Sequence, residues 1–310
     1  MTHPRSAHPW SSRPRMPLIL RLVIVGAGAL VIWLAIASLG TVLWDEEMSL
    51  ARHLANALSA FVLAGLLVVV ARKLLDRRPV ATLGLTRGLV AVRDLLYGAL
   101  TWLLPAAVGL GVALGAGWLQ IEINATVAET IGVVLLLIVL VFVYEAFPEE
   151  LVFRGYIYRN LTTAMAPWLA ILAQALIFAA FGTTLWVVTH GWGVLLERLV
   201  MFFGMAVVAG CIRLISGSIW SAVGFHLAFQ VVMQMFLSGQ YLEVSLSDDR
   251  AFIVATAVVA FATAATIAGA FWRGQPNWTR PEPDTALPAA HATSRRLSKS
   301  DVAAVRRSRR

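Results

Sequence analysis

The chain is poor in cysteine and in charge. Its one cysteine, Cys211, lies inside an apolar run. That excludes a disulfide framework and a cysteine metal cluster, and leaves a small buried hydrophobe. Charged residues make up only 14% of the 310, against 59% apolar. A soluble domain of this length has no core large enough to hide so much apolar surface. There is also no small-residue cleavage site between the first apolar run, Pro17 to Trp44, and the polar stretch after it. The run is too long for a signal-peptide core, so it reads as a retained first span.

What the chain does have is a series of runs long enough to cross ~30 Å of hydrocarbon. Eight spans can be drawn, at 17–43, 54–71, 95–119, 127–147, 167–187, 196–215, 218–238 and 251–272. The expected fold is therefore all-α, a polytopic membrane bundle. Acidic groups follow span 1 (Asp45, Glu46, Glu47), span 3 (Glu122, Glu129) and span 7 (Glu243, Asp248, Asp249). Basic groups follow span 2 (Arg72, Lys73, Arg77, Arg78, Arg87, Arg93) and fill both tails. Positive charge gathers on the cytoplasmic side, which places both termini in the cytoplasm of a multi-pass plasma-membrane protein. The net charge of +8 thus concerns orientation and the lipid bilayer rather than nucleic acid.

This divides the chain into a basic cytoplasmic tail (1–16), N-terminal transmembrane helices (17–125) and a core carrying the site (126–240). A last loop and helix (241–272) and a disordered basic cytoplasmic tail (273–310) follow, the tail being rich in Pro, Ala, Ser and Arg.

Span 4 runs into Tyr144-Glu145-Ala146-Phe147-Pro148-Glu149-Glu150-Leu151-Val152-Phe153-Arg154-Gly155. Three acids and an arginine are expensive at membrane depth, and should face the bundle interior or water. Glu150 and Arg154 are four apart and can pair along a helix, and Glu145 shares a face with Glu149. Two carboxylates close together in low dielectric are tuned for proton transfer. Span 7 places His226, Gln230 and Gln234 on one face, and span 5 places Gln174, Phe178 and Gly182 on another. A cytoplasm-facing cavity lined by spans 4, 5 and 7 is the expected site.

These residues resemble the CPBP intramembrane proteases, which include the type II CAAX prenyl endopeptidases and related bacterial immunity proteins. Glu149-Glu150-Leu151-Val152-Phe153-Arg154 matches that family's Glu-Glu-x-x-x-Arg signature. Ser216-Gly217-Ser218-Ile219-Trp220 followed by His226 is similar to its third motif, a Gly-Ser-aliphatic-Trp turn leading into His-x-x-x-Asn. The resemblance implies an endopeptidase in which Glu149 activates water, with Glu150 and Arg154 in support. It implies that His226 steadies the oxyanion or, with Glu149, binds a divalent metal such as Zn. The implied substrates are membrane-associated peptides or proteins, some of them prenylated.

Two positions depart from that pattern. The second motif, Phe-x-x-x-His, retains Phe178 but has Gly182 where histidine is expected, and Gln230 stands in place of asparagine. Glycine neither coordinates nor carries a proton. His190 follows Trp186 at the same step of four, but lies about 12 Å further along a continuous helix. Two readings stay open. One is a peptidase in which Glu145, Gln174, His190 or a water compensates. The other is a catalytically impaired relative that acts as a membrane binding, scaffold or immunity protein. A transporter, the third class, is disfavoured because the two halves show no inverted repeat.

Overall fold

The structure, a computed structural model, describes residues 14–44, 48–272 and 274–284. The acidic group at 45–47 and most of both basic tails lie outside the described residues. Eight helices are long and apolar enough to cross a membrane. They are α1 (Leu18–Trp44), α2 (Leu50–Leu74), α3 (Leu89–Gly115), α4 (Val127–Leu161), α5 (Pro167–His190), α6 (Leu195–Ser216), α7 (Ile219–Leu237) and α8 (Asp249–Phe271). The all-α bundle expected from the hydropathy is what forms. It is joined by a short antiparallel ribbon, β1 (Ile121–Ile123) with β2 (Val244–Leu246), in which Ile121 faces Leu246.

Local chemistry sets the boundaries, and three of them differ from expectation. Ser49 caps α2 by accepting from the Arg52 backbone N–H, so the helix begins at Leu50 and takes in His53. Helix α3 starts several residues earlier than hydropathy alone suggests, directly after Gly88, which has φ +61°. Helix α4 does not stop near Phe147 but continues to Leu161. Its start is fixed by Thr126, whose hydroxyl accepts from Glu129 N–H while the Glu129 carboxylate accepts from Thr126 N–H.

Helix α7, which carries the histidine, is fixed in place by α3. A Cβ at Gly98 of α3 would fall on the Ser221 backbone of α7, and one at Gly224 of α7 would fall on the Leu95 carbonyl of α3. Small residues on both sides let the two backbones touch. Apolar groups from α2, α4, α5 and α6 close around them, among them Ala60, Val152, Phe153, Ala175 and Ala209.

One expectation about the tail is corrected. Segment 274–284 is not disordered. The Glu282 N–H donates to the Thr162 carbonyl at 2.7 Å, and Asp284 is 2% exposed. Composition forecast solvation, but a carboxylate that finds arginines overrides it.

Candidate functional site

Helix α4 is not a regular helix where the acids sit. Pro148 has no N–H to offer the Tyr144 carbonyl, so the ladder cannot continue unchanged through it. The chain widens instead. Phe147 N–H reaches back five residues to the Phe142 carbonyl, and Tyr158 N–H does the same to Phe153. Each widened turn holds an extra residue, and such bulges are frequent at functional sites. In a regular helix Glu149 and Glu150 would diverge, because successive residues do not face one another. Here Glu149 lies within electrostatic reach of Glu145, Glu150 and Arg154 together.

The turn before α7 aims the histidine at this group. Gly217 takes φ +71°, a conformation that a side chain would strain, and ends α6. Ser218 then caps α7 by accepting from Trp220 N–H. Trp220 Nε1–H donates to the Thr86 carbonyl at 2.9 Å, and the indole stacks on Phe147 of α4. That contact ties the third-motif turn to the segment bearing the carboxylates.

Each acid has a different fate. Glu150 is fully buried, with Oε1 2.9 Å from Arg154 and 3.0 Å from His226 Nδ1. An ionised carboxylate only accepts, so Nδ1 is the donor and Nε2 is left for a substrate. The Arg154 guanidinium also lies 4.4 Å from the centre of the Phe178 ring. Glu145 accepts from Gln230 Nε2–H and, at 2.9 Å, from Gln234 Nε2–H. Glu149 is half-buried and, among the described residues, makes no hydrogen bond or ion pair. Two carboxylates are held, and the third is open.

The structure brings together Glu145, Glu149, Glu150, Arg154, His226 and Gln230. It does not bring in Gln174, whose amide donates to the carbonyls of Ile171 and Ala206 and so joins α5 to α6. Nor does it bring in His190, which is exposed at the end of α5, stacked on Trp186 and bonded to Thr189. The loop after α5 would have had to fold back into the bundle for His190 to reach the acids. Helix α5 ends at His190 instead. At Gly182, a Cβ would come within 2.9 Å of the Phe202 ring. The room a second-motif histidine would use is taken by an aromatic ring from α6.

The expected wall of spans 4, 5 and 7 is also corrected. Helix α5 contributes Phe178 and no polar group to the site, and α2 lies on the other side. His53 of α2 is 4% exposed, with its ring edge-on to Tyr144 at 5.6 Å. Its Nδ1 is 2.9 Å from the Tyr241 hydroxyl, while Nε2 is buried without a partner. Tyr241 in turn lines a cleft of about 410 Å³, together with Asn124, Glu129, Val133 and Leu136. A polar track thus leads from His226 past Glu145 toward the β-ribbon end. Sequence reasoning missed His53 because it began span 2 at residue 54. The signal was available, since His53 and Asn56 lie about one turn apart in an apolar helix.

A metal centre does not fit these donors. A catalytic zinc takes three protein ligands. No group of three or more His, Cys, Asp or Glu close enough to hold an ion exists among the described residues. Glu150 is committed to Arg154, and Gly182 supplies nothing. The candidate ligands His226 and Glu149 therefore lack a third partner among the described residues.

Residues 131–232 match the family model described as type II CAAX prenyl endopeptidase Rce1-like. No curated protein matches the chain. The widened α4 turns, the Glu150–Arg154 pair, the cap before α7 and His226 all fall inside the matched segment, so the part of the chain that holds the site is the part similar to the Rce1-like type II CAAX prenyl endopeptidases.

Proposed function

We propose that the chain is a metal-independent endopeptidase that cleaves a membrane-associated substrate, prenylated or otherwise lipid-anchored, at the plasma membrane. The observation that carries this reading is the division of labour among the acids. Glu145 and Glu150 are held by neighbours, while Glu149, among the described residues, is left without a hydrogen-bond or ion-pair partner beside them. An unpartnered, half-buried carboxylate at membrane depth is costly to keep, and a general base needs one.

In the proposed reaction a water gives its proton to Glu149 as its oxygen attacks the scissile carbonyl. The carbonyl π-electrons move onto oxygen, which accepts a hydrogen bond from Nε2–H of His226 in its doubly protonated form; His226 keeps both protons throughout. Collapse of the tetrahedral intermediate breaks the C–N bond, and Glu149 passes its proton to the leaving amine. Glu150 orients His226, and Arg154 holds Glu150 in place.

The test uses full-length protein in lipid and a library of lipid-anchored peptides. Glu149→Gln is expected to lose roughly 10²- to 10⁴-fold in kcat/KM, the usual worth of a general base. His226→Ala should lose a similar factor. Wild-type rates in both variants would sink the enzymatic reading.

One observation favours the second reading, a relative that binds without cutting. The Phe202 ring packs against Gly182, where the second motif's histidine is expected. On that reading wild type binds lipidated peptides and cleaves none.

A further inference from the structure

The end of the bundle opposite the β-ribbon carries a second buried ionic cluster, apart from the site. Arg15, Arg21, Arg72 and Arg159 converge there on two carboxylates, Asp76 and Asp284, and Arg78 donates to the Asp76 backbone carbonyl. Asp76 receives Arg21 at 2.7 Å, Arg72 at 2.6 Å, and the Tyr156 hydroxyl and Asn160 amide at 3.1 Å each. Asp284 receives Arg72 at 2.6 Å, Arg15 at 3.1 Å and Arg159 at 3.3 Å. Glu282 stands at the rim, 3.8 Å from Arg159.

Two features make Asp284 look like a ligand in a pocket. Segment 274–284 is otherwise exposed or half-exposed, and Asp284 is its one buried residue. The segment is tied down further only by a few bonds, among them Trp168 N–H to the Trp278 carbonyl and Arg159 to the Glu282 carbonyl. The charges also do not balance among the described residues, since the four guanidiniums of Arg15, Arg21, Arg72 and Arg159 meet two buried carboxylates and the rim Glu282. Surplus buried charge is expensive unless an anion answers it. Burial pushes the guanidiniums of Arg15 and Arg78 below the ordinary arginine value, and Asp284 pulls both back up. Arginine forks match phosphate oxygens as well as carboxylates, and a phosphate offers them more acceptors. The cluster sits at the ends of α1, α2 and α4, beside the basic loop that follows α2.

We propose that this cluster is an anion-binding site that the chain fills in cis with Asp284, and that a phosphate-class anion competes with Asp284 for it. Binding of that anion releases segment 274–284. The anion comes either from a phospholipid headgroup or from free phosphate.

The test places a spin label at Gln275→Cys, in a Cys211→Ala background, on the full chain in phosphatidylcholine nanodiscs. The label is expected to be immobilised. Asp284→Asn should raise its mobile fraction severalfold, whereas Glu282→Gln, a rim charge, should not. Arg15→Gln, at the most exposed cage position, gives a partial release and serves if Asp284→Asn does not fold. Inorganic phosphate that frees the wild-type label identifies the free ion as competitor. Release only on exchange into phosphatidylglycerol nanodiscs identifies the headgroup. A label equally mobile with and without the Asp284 charge overturns the latch. A label that stays immobile under both phosphate and phosphatidylglycerol overturns the competition.

Discussion

The chain buries two ionic clusters, and they are built on opposite plans. At the arginine end each carboxylate is saturated, and Asp76 alone accepts four donors. At the site, among the described residues, Glu149 has no hydrogen-bond or ion-pair partner, Glu150 Oε2 is buried without one, and the Arg154 guanidinium rests largely on an aromatic face. Saturation is what a joint between helices requires, because an unpaired buried charge costs more than a pair returns. Leaving groups unsatisfied is tolerable only where something else is to bind or react. Both clusters sit on α4, so one helix serves as joint at its end and as site in its middle.

The largest effect that would separate the two plans is on stability. Asp76→Ala takes the carboxylate from the buried guanidinium of Arg21 and one of two from Arg72, and should cost roughly 3–5 kcal/mol, read by thermal unfolding in lipid or detergent. Glu149→Gln should leave the unfolding midpoint near wild type. A reversal of these two results would dissolve the distinction. Next comes the holding of Glu145. Gln230→Leu removes a hydrogen bond to a charged group, worth about 1.5–3 kcal/mol, and should slow peptide hydrolysis while the arginine end stays intact. An unchanged rate would mean that Glu145 need not be held for Glu149 to work.

A smaller and more pointed effect concerns Gly182. Gly182→His alone should be destabilised by about 1–3 kcal/mol, because its Cβ meets the Phe202 ring. Pairing it with Phe202→Ala should cost less than the sum of the two single changes, as expected for residues sharing one space. If the site works short of one partner, the double variant should also cleave faster than Phe202→Ala. Equal rates would show that the histidine position is dispensable here. The smallest effect is at His190. His190→Ala should change stability by no more than ~0.5 kcal/mol and leave hydrolysis as it was. A large loss of activity would return His190 to the site.

Much of the molecule is legible in its sequence, for identifiable reasons. Eight apolar runs gave eight helices because hydrocarbon leaves the backbone few other ways to satisfy itself. Glu150 and Arg154 pair because a step of four joins neighbours on one helix. The Glu150–His226 contact was approachable only through motif spacing, because seventy-six residues separate the two. His53 was hidden by a cap at Ser49 that hydropathy does not register.

Sequence alone determined which residues could carry chemistry. Local spacing and the cost of charge in lipid are properties of the chain itself, so Glu145, Glu149, Glu150 and Arg154 could be named from it. Only the tertiary structure decided which partners each of them has. Two glutamines on α7 hold Glu145, His226 and Arg154 hold Glu150, and Glu149 is left over. Likewise only packing showed that Phe202 closes the space beside Gly182, and that Asp284 returns from a polar tail into a cage of arginines. The physical reason is the same in each case. A buried polar group takes its meaning from the partners that surround it, and those partners come from elsewhere in the chain.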